Sequence, residues 1–318
     1  MNYVFKVLKI KELWGGYEIL CLDDCSSDDS FECLKYIATR YSNVVVRRSS
    51  QNRGVSYTRN QLINMARGKY IWFVDPDDML CPNIVNLVIK AAINNNADAV
   101  LGNYLRISEN ERPELATITS LTLQKNENLD ILPKDSNGTP MCAIWAGVLK
   151  RDFLIDSGLY FNERMIAQED TLFYFEMSLH TKNIFHFNEV AYVYRQRASS
   201  VMHSHSAKRA LQYYHSMQEM YLVYKKYFTS GLPISKDLLS EKIEHMQQNL
   251  ALTLAVVNDS RIVKAELKEL KKERIYPYQR NFLGNSTQNI VLNFLLKKEF
   301  GFWIIHFLSK IKLLLSRQ

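Results

Sequence analysis

Gly68-Lys69-Tyr70-Ile71-Trp72-Phe73-Val74-Asp75-Pro76-Asp77-Asp78 sets an apolar run directly against three carboxylates. The aromatic and β-branched residues from Tyr70 to Val74 predict a buried strand. Pro76 cannot extend it, so the acids gather where the strand ends. Carboxylates two apart can share one hard divalent cation, magnesium or manganese, which takes oxygen ligands and keeps positions open for substrate phosphates. The same acids also suit a polar turn leading into the next helix. The surroundings of the run have to decide.

Upstream, Tyr17 to Leu22 reads as a strand ending in Asp23-Asp24, and Ser30 as the cap of a helix reaching about Tyr41. Val44 to Val46 follows as a short strand, then a helix from Val55 to Arg67 stopped by Gly68 in the C-terminal glycine position. Downstream come a helix from about Asn83 to Asn95 and a strand from about Ala99 to Leu105. This alternation predicts an α/β fold with a mixed, largely parallel sheet flanked by helices. In such sheets ligands bind beyond the carboxyl ends of the strands, the edge that Asp23-Asp24 and Asp75 to Asp78 share.

Residues 107–140 are polar and irregular, a connecting or lid segment, before the apolar stretch Ile144 to Leu154. Glu169-Asp170 opens a helix to about His180, followed by strands at Ile184 to Phe187 and Ala191 to Tyr194. Beyond Ser206 the apolar spacing is helical over Ala210 to Phe228, Lys236 to Val257 and Arg261 to Arg274.

With 318 residues, 47% hydrophobic and 23% charged, the chain is long enough for one large or two modest globular domains. Five cysteines without a CxxC pair speak against a disulfide framework and a zinc site, and Cys21, Cys33 and Cys142 read as reduced, buried fillers. The start Met1-Asn2-Tyr3-Val4-Phe5-Lys6 lacks the succession of a signal peptide, so a cytoplasmic location is expected.

The net charge of +7 is uneven, because residues 261–318 carry 12 Lys/Arg against 4 Asp/Glu. The basicity belongs to the tail, which a nucleic-acid binder could also have, but aromatic-and-basic stacking motifs are not evident, so no nucleic-acid partner is expected. In the tail, Phe300, Trp303, Ile304, Phe307, Leu308, Ile311, Leu314 and Leu315 share one helical face flanked by Lys310 and Lys312. Such a helix either lies in a membrane interface or packs on the protein's own core. The uncharged stretch Phe300 to Ser309 falls far short of the ~20 residues of a span.

Four segments in order carry a resemblance: Tyr17 to Ser30 with its Asp23-Asp24-Cys25-Ser26, Asn52-Arg53-Gly54-Val55-Ser56-Tyr57-Thr58-Arg59-Asn60, Gly68 to Asp78, and Glu169-Asp170-Thr171-Leu172-Phe173. Over about residues 3–200 the chain resembles the family 2 glycosyltransferases, nucleotide-sugar enzymes of GT-A fold that build capsules, O-antigens and other surface glycans. The resemblance implies a GT-A domain over 1–205, with a nucleotide-sugar half (1–106) and an acceptor half (107–205), then a helical region over 206–318. It assigns Asp23 and Asp24 to the nucleotide base, Arg59 to the nucleotide's vicinity, Asp75 to the ribose and Asp77 to a Mn2+ or Mg2+ ion on the donor diphosphate. Asp78 would be supporting.

Breaking a sugar–phosphate bond builds charge on the leaving diphosphate, and the attacking acceptor hydroxyl must lose a proton. The resemblance gives that proton to Asp170, with Glu169 orienting loop or acceptor, and implies inversion in a single displacement. Without it, two acids in a first helical turn simply favour the helix dipole. Arg195 or Arg197 would neutralise the leaving group, with Arg197 taken as the donor contact. His203 or His205 is a candidate further metal ligand, and Trp145 falls in the acceptor cleft or the core.

The implied partners are a nucleotide-sugar donor, a UDP-sugar above others, a glycan or lipid-linked acceptor, and a membrane surface for the tail. The family's usual first strand, ending in Pro-x-Tyr-Asn, is missing. Met1 to Trp14 resembles the helix after it, so the expectation includes a truncated start and, as an alternative function, a non-catalytic subunit of a glycan-assembly complex. Cys25 occupies a position often glycine in relatives.

Overall fold

The computed structural model describes residues 16–81, 83–113, 115, 118–126, 143–196, 207–232, 234–277, 292 and 294–315. Met1 to Trp14, Cys142, Arg197, His203 and His205 lie outside the described residues. Two compact units emerge, one drawn from Met1–Glu163 and Glu169–Ser200, the other from Arg164–Gln168 and Val201–Gln318.

The first unit opens with β1 (Ile19–Asp23) and β2 (Val44–Arg48), a parallel pair connected through α1 (Ser30–Arg40). Ser30 is the first residue of α1 rather than its cap. The cap position falls to Asp29 without a side-chain bond, while Asp28 accepts the Ser30 N–H at 3.0 Å. Cys33 on α1 is exposed, so it fills no core.

Helix α2 (Val55–Met65) ends before the expected Gly68, which is not in the left-handed region. Glu18 supplies the reason: its Oε1 accepts the N–H groups of Arg67 (2.7 Å) and Gly68 (3.2 Å), so a carboxylate turns the chain where a left-handed glycine was expected.

The apolar run then pairs only briefly, as β3 (Tyr70–Ile71), and β4 (Met79–Leu80) follows the acidic turn. After α3 (Ile84–Asn94) come β5 (Ala99–Ser108), β6 (Gln124–Lys125) and β7 (Gly147–Lys150), then α4 (Arg151–Asp156), α5 (Glu169–His180) and β8 (Ile184–Gln196). The expected strands at 184–187 and 191–194 are thus one strand. β3 stops at Ile71 although β7 runs back to Gly147, and beyond it the Trp72 indole N–H reaches the Trp145 carbonyl at 2.9 Å.

The larger sheet runs β3-β7-β5-β8-β4, with β6 on β8. It is mixed, but less parallel than the alternation suggested. Within it β5–β8 is parallel, and the pairings β3–β7, β5–β7, β4–β8 and β6–β8 are antiparallel. The short strands around the acidic turn and after residue 140 come back as reversals onto existing strands, and a reversal needs no helical crossover.

Its core lies on both faces. Ile63, Phe73, Leu101, Leu149, Phe161, Phe173 and Ile184 pack on one side, and Ile84, Val88, Val100, Ile107, Val148, Phe187 and Val193 on the other. At the irregular step of β5, a Cβ on Gly102 would sit 2.2 Å from the Phe187 ring, so only glycine fits there.

The second unit contains α6 (Ala207–Thr229), α7 (Lys236–Ala255), α8 (Ser260–Lys272) and α9 (Glu299–Leu315). Ser235 caps α7 and Asp259 caps α8 through their side chains. Helix α9 is apolar on two sides. Phe302, Ile305 and His306 are buried, with His306 Nδ1 3.0 Å from the Ala255 carbonyl and Nε2 3.0 Å from Ser260 Oγ. Phe300, Phe307, Leu308 and Ile311 are exposed, so the packing reading holds for one face and a second apolar face is left in solvent. Among the described residues no helix is long and apolar enough to cross a membrane.

Candidate active site

Strand β1 ends in two carboxylates that do different jobs from those expected of them by proximity alone. Asp23 is buried and holds its own loop: it accepts the Ser26 N–H at 3.2 Å and pairs with Arg48 Nε at 3.2 Å. Asp24 reaches across to the start of α2, accepting the N–H groups of Arg53 (2.9 Å) and Gly54 (2.7 Å), while its carbonyl takes the Asn52 amide at 3.0 Å. Asp24 thereby ties its loop to the residues that lead into α2, while α2 itself has no side-chain cap. Gly54 has φ 88, and Cys25 stands at φ 60, the left-handed region that glycine enters without strain.

Arg59 is the centre of the second acidic group. It is not a solvated helix residue; it is 5% exposed and lies against the Phe161 ring at 5.4 Å. Nη1 donates to Glu169 at 2.8 Å and Nη2 to Asp75 at 3.3 Å. Burial alone lowers the guanidinium pKa, but the carboxylates of Asp75, Glu169 and Asp170 outweigh it and the net direction is upward. Glu169 goes the same way, raised by burial and by Asp170, with Arg59 opposing.

The acidic turn divides its carboxylates by depth. Asp78 is buried, accepting the Tyr192 hydroxyl at 2.9 Å and the Arg195 N–H at 2.8 Å; burial pushes its pKa up to about 7. Tyr192 also accepts the Asp75 N–H at 2.9 Å, so one phenol clamps both ends of the turn. Asp75 and Asp77 stay partly exposed. Among the described residues no three His, Cys, Asp or Glu side chains form a ready cation shell. The donor set fits Mg2+ or Mn2+ in another way: such an ion is held by one or two carboxylates and completes its shell on substrate phosphates.

Next to Glu169, Asp170 accepts the Trp145 indole N–H at 3.2 Å and the Thr171 N–H at 2.8 Å. Trp145 in turn meets Tyr104, Tyr192 and Tyr194 at ring distances of 4.8, 4.7 and 5.9 Å. Arg195 is turned elsewhere, its guanidinium 3.6 Å from Met79 Sδ on the side of the sheet where Val193 is buried. The structure thus gathers Arg59, Asp75, Glu169, Asp170 and Trp145, while the carboxylates of Asp23 and Asp24 bond to the adjoining loops.

Sequence reading missed Tyr192 and the pair Asn60–Glu163. Asn60 exchanges two bonds with the backbone of Phe161 (2.9 and 2.8 Å) and donates to Glu163 at 3.1 Å. Its place beside Arg59 in the quoted motif was an available signal. For Tyr192 the signal was the Tyr192/Tyr194 alternation on one face of the strand.

Residues 4–157 match the sequence profile of Glycosyl transferase family 2. That stretch, just under half of the chain, is a glycosyl transferase family 2 region. Among curated relatives, the glycosyltransferase GlyG of Streptococcus pneumoniae serotype 4 is 26% identical over 61% of this chain and 65% of its own length. The poly(ribitol-phosphate) beta-glucosyltransferase of Bacillus spizizenii is 30% identical over 53% of this chain and 25% of its own length. The chain thus spans less than two thirds of either relative. Residues 1–349 of TarS of S. aureus, crystallised with UDP-GlcNAc, share the fold at a TM-score of 0.55 and 19% identity, over 80% of this chain and 68% of that one.

Proposed function

We propose that this chain transfers a sugar from a UDP-linked donor to an acceptor hydroxyl of a surface polysaccharide or lipid-linked glycan, by a single inverting displacement. The observation that carries the reading is Arg59: buried, it ties Asp75 of the acidic turn to Glu169 and so sets Asp170 beside the same edge. The relatives' names and the UDP-GlcNAc bound to TarS support the donor and acceptor classes.

In this reading Asp75 faces the donor ribose, and Asp77 holds Mg2+ or Mn2+, which when bound stabilises the charge on the leaving diphosphate. Asp23 and Asp24 shape the loops against the base, and Arg197 contacts the donor. Asp170 takes the acceptor proton. Its carboxylate is held by the Trp145 indole and the Thr171 N–H, which leaves the remaining lone pairs for a hydroxyl. Glu169 and Arg59 neutralise one another and keep Asp170 in register. With a lipid-linked acceptor, the exposed face of α9 would rest on the inner membrane surface.

The test is UDP-sugar hydrolysis and transfer with manganese, comparing the parent with Asp77→Ala and Asp170→Asn. Turnover in the parent and its loss in both variants supports the reading. An inert parent sinks it and favours a non-catalytic subunit.

A further inference from the structure

The parallel register of β5 on β8 sets Tyr104 beside Tyr192 and Arg106 beside Tyr194. Side chains alternate between the faces of a strand. Leu105, Ile107 and Val193 enter the core with α3, so Tyr104, Arg106 and Tyr194 lie on the opposite face, where Trp145 is. The Arg106 guanidinium lies 5.8 Å from both the Tyr104 and the Tyr194 ring, and one of its nitrogens donates to the Tyr104 hydroxyl at 3.3 Å.

Arg106 is exposed, and among the described residues no carboxylate pairs with it. Other arginines of this unit are engaged: Arg48 with Asp23, Arg53 with Glu163, and Arg59 with Asp75 and Glu169. Arg195, the cation the sequence offered for this work, faces the other side of the sheet against Met79.

We propose that Arg106, Tyr104 and Tyr194 form a shelf beside Trp145 that takes a phosphate-bearing acceptor glycan, a sugar ring on the aromatic faces and its phosphate on the guanidinium. The shelf meets the candidate base through a single residue, because the Trp145 indole bonded to Asp170 packs against both tyrosines. A planar guanidinium already steadied by two rings and a phenol matches phosphate oxygens in two-point contact with little ordering left to do. Tyrosine faces suit the apolar side of a sugar. A donor diphosphate would offer the same chemistry. The acceptor is preferred because Trp145, on which the shelf packs, is bonded to the candidate base Asp170; Tyr194 also feels the carboxylates of Asp75, Asp77 and Asp78, so the shelf borders the acidic turn. The inference rests on the transfer reading for the role of Asp170.

The experiment has a binding arm that needs no turnover. Two hexoses joined by a phosphodiester, and the same dimer with a neutral glycosidic linkage, are titrated against the full chain by tryptophan fluorescence, with Trp145→Phe as the blank. The parent is expected to bind the phosphodiester at least tenfold more tightly, in a salt-dependent way, and Arg106→Gln to bind both dimers alike. Equal affinities in the parent, or a preference that survives Arg106→Gln, would overturn the proposal. In the kinetic arm, Arg106→Gln is expected to raise the acceptor KM at least tenfold and leave UDP-sugar hydrolysis unchanged. Loss of hydrolysis would move Arg106 to the donor and also overturn it. An inert parent that still discriminates between the dimers would count against catalysis while supporting the shelf.

Discussion

The two acidic corners of the first unit are built on opposite plans. At the end of β1, the Asp24 carboxylate is satisfied by backbone N–H groups and Asp23 by a backbone N–H and Arg48. At the other corner, Asp75 and Glu169 converge on one buried side-chain cation, and Asp170 is held by an indole. Backbone donors cannot leave, so the first corner is fixed when the chain folds. A guanidinium can exchange one oxygen for another, so the second corner keeps the capacity to rearrange around a substrate. The difference separates carboxylates held by fixed backbone donors from carboxylates held by exchangeable side chains.

The most severe way to break this contrast is at the second corner. Asp170→Asn is expected to lower transfer by roughly 10²–10⁴-fold with little change in melting temperature. A matching loss of stability would reclassify Asp170 as structural. Arg59→Met should cost about 3–5 kcal/mol in urea unfolding, because it leaves Glu169 buried without its partner. A loss below about 1 kcal/mol would mean that the pair opens to water freely.

His186 separates these effects from the sheet beneath them. Buried against the Tyr174 hydroxyl at 3.1 Å, it has its pKa lowered to about 4 by burial. The unfolded chain binds the proton first, so stability is intact above about pH 6.5 and is lost as pH falls towards 4. The loss amounts to about 3 kcal/mol. His186→Phe should flatten that acid limb in a pH series of thermal melts. Persistence of the limb would assign it to the carboxylates instead.

At the fixed corner the effects are smaller. Asp24→Ala frees two N–H groups at the start of α2 and should cost about 1–2 kcal/mol of stability. Donor affinity should fall only as far as the loop loosens, so a large affinity loss with unchanged stability would put Asp24 in direct contact with the nucleotide. Smallest of all, Cys25→Gly should stabilise by about 1 kcal/mol in thermal melts by relieving a left-handed cysteine. Destabilisation would show that the Cys25 thiol, 3.8 Å from the Ser50 carbonyl, matters more than the strain.

Local pattern carried a good share of the architecture. Helix α5 from Glu169 to His180, the β1–α1–β2 order and the helices of the second unit were legible because apolar spacing and end signals are properties of contiguous residues. Strand direction was not. The brief pairing of β3 and the reversals of β4, β6 and β7 depend on partners far along the chain. The end of α2 failed for the same reason, since the Glu18 carboxylate reaches it from the loop before β1.

The sequence by itself determined which acids exist and at which strand and helix ends they stand, and the order of motifs sufficed to point to the family. Only the tertiary structure decided what each acid touches. Arg59 between Asp75 and Glu169, Tyr192 across the acidic turn, and Arg106 turned to the Trp145 face while Arg195 turns away are choices made by sheet register and helix packing. Burial sets the energies of those contacts, and burial is a property of the assembled fold rather than of any stretch of chain.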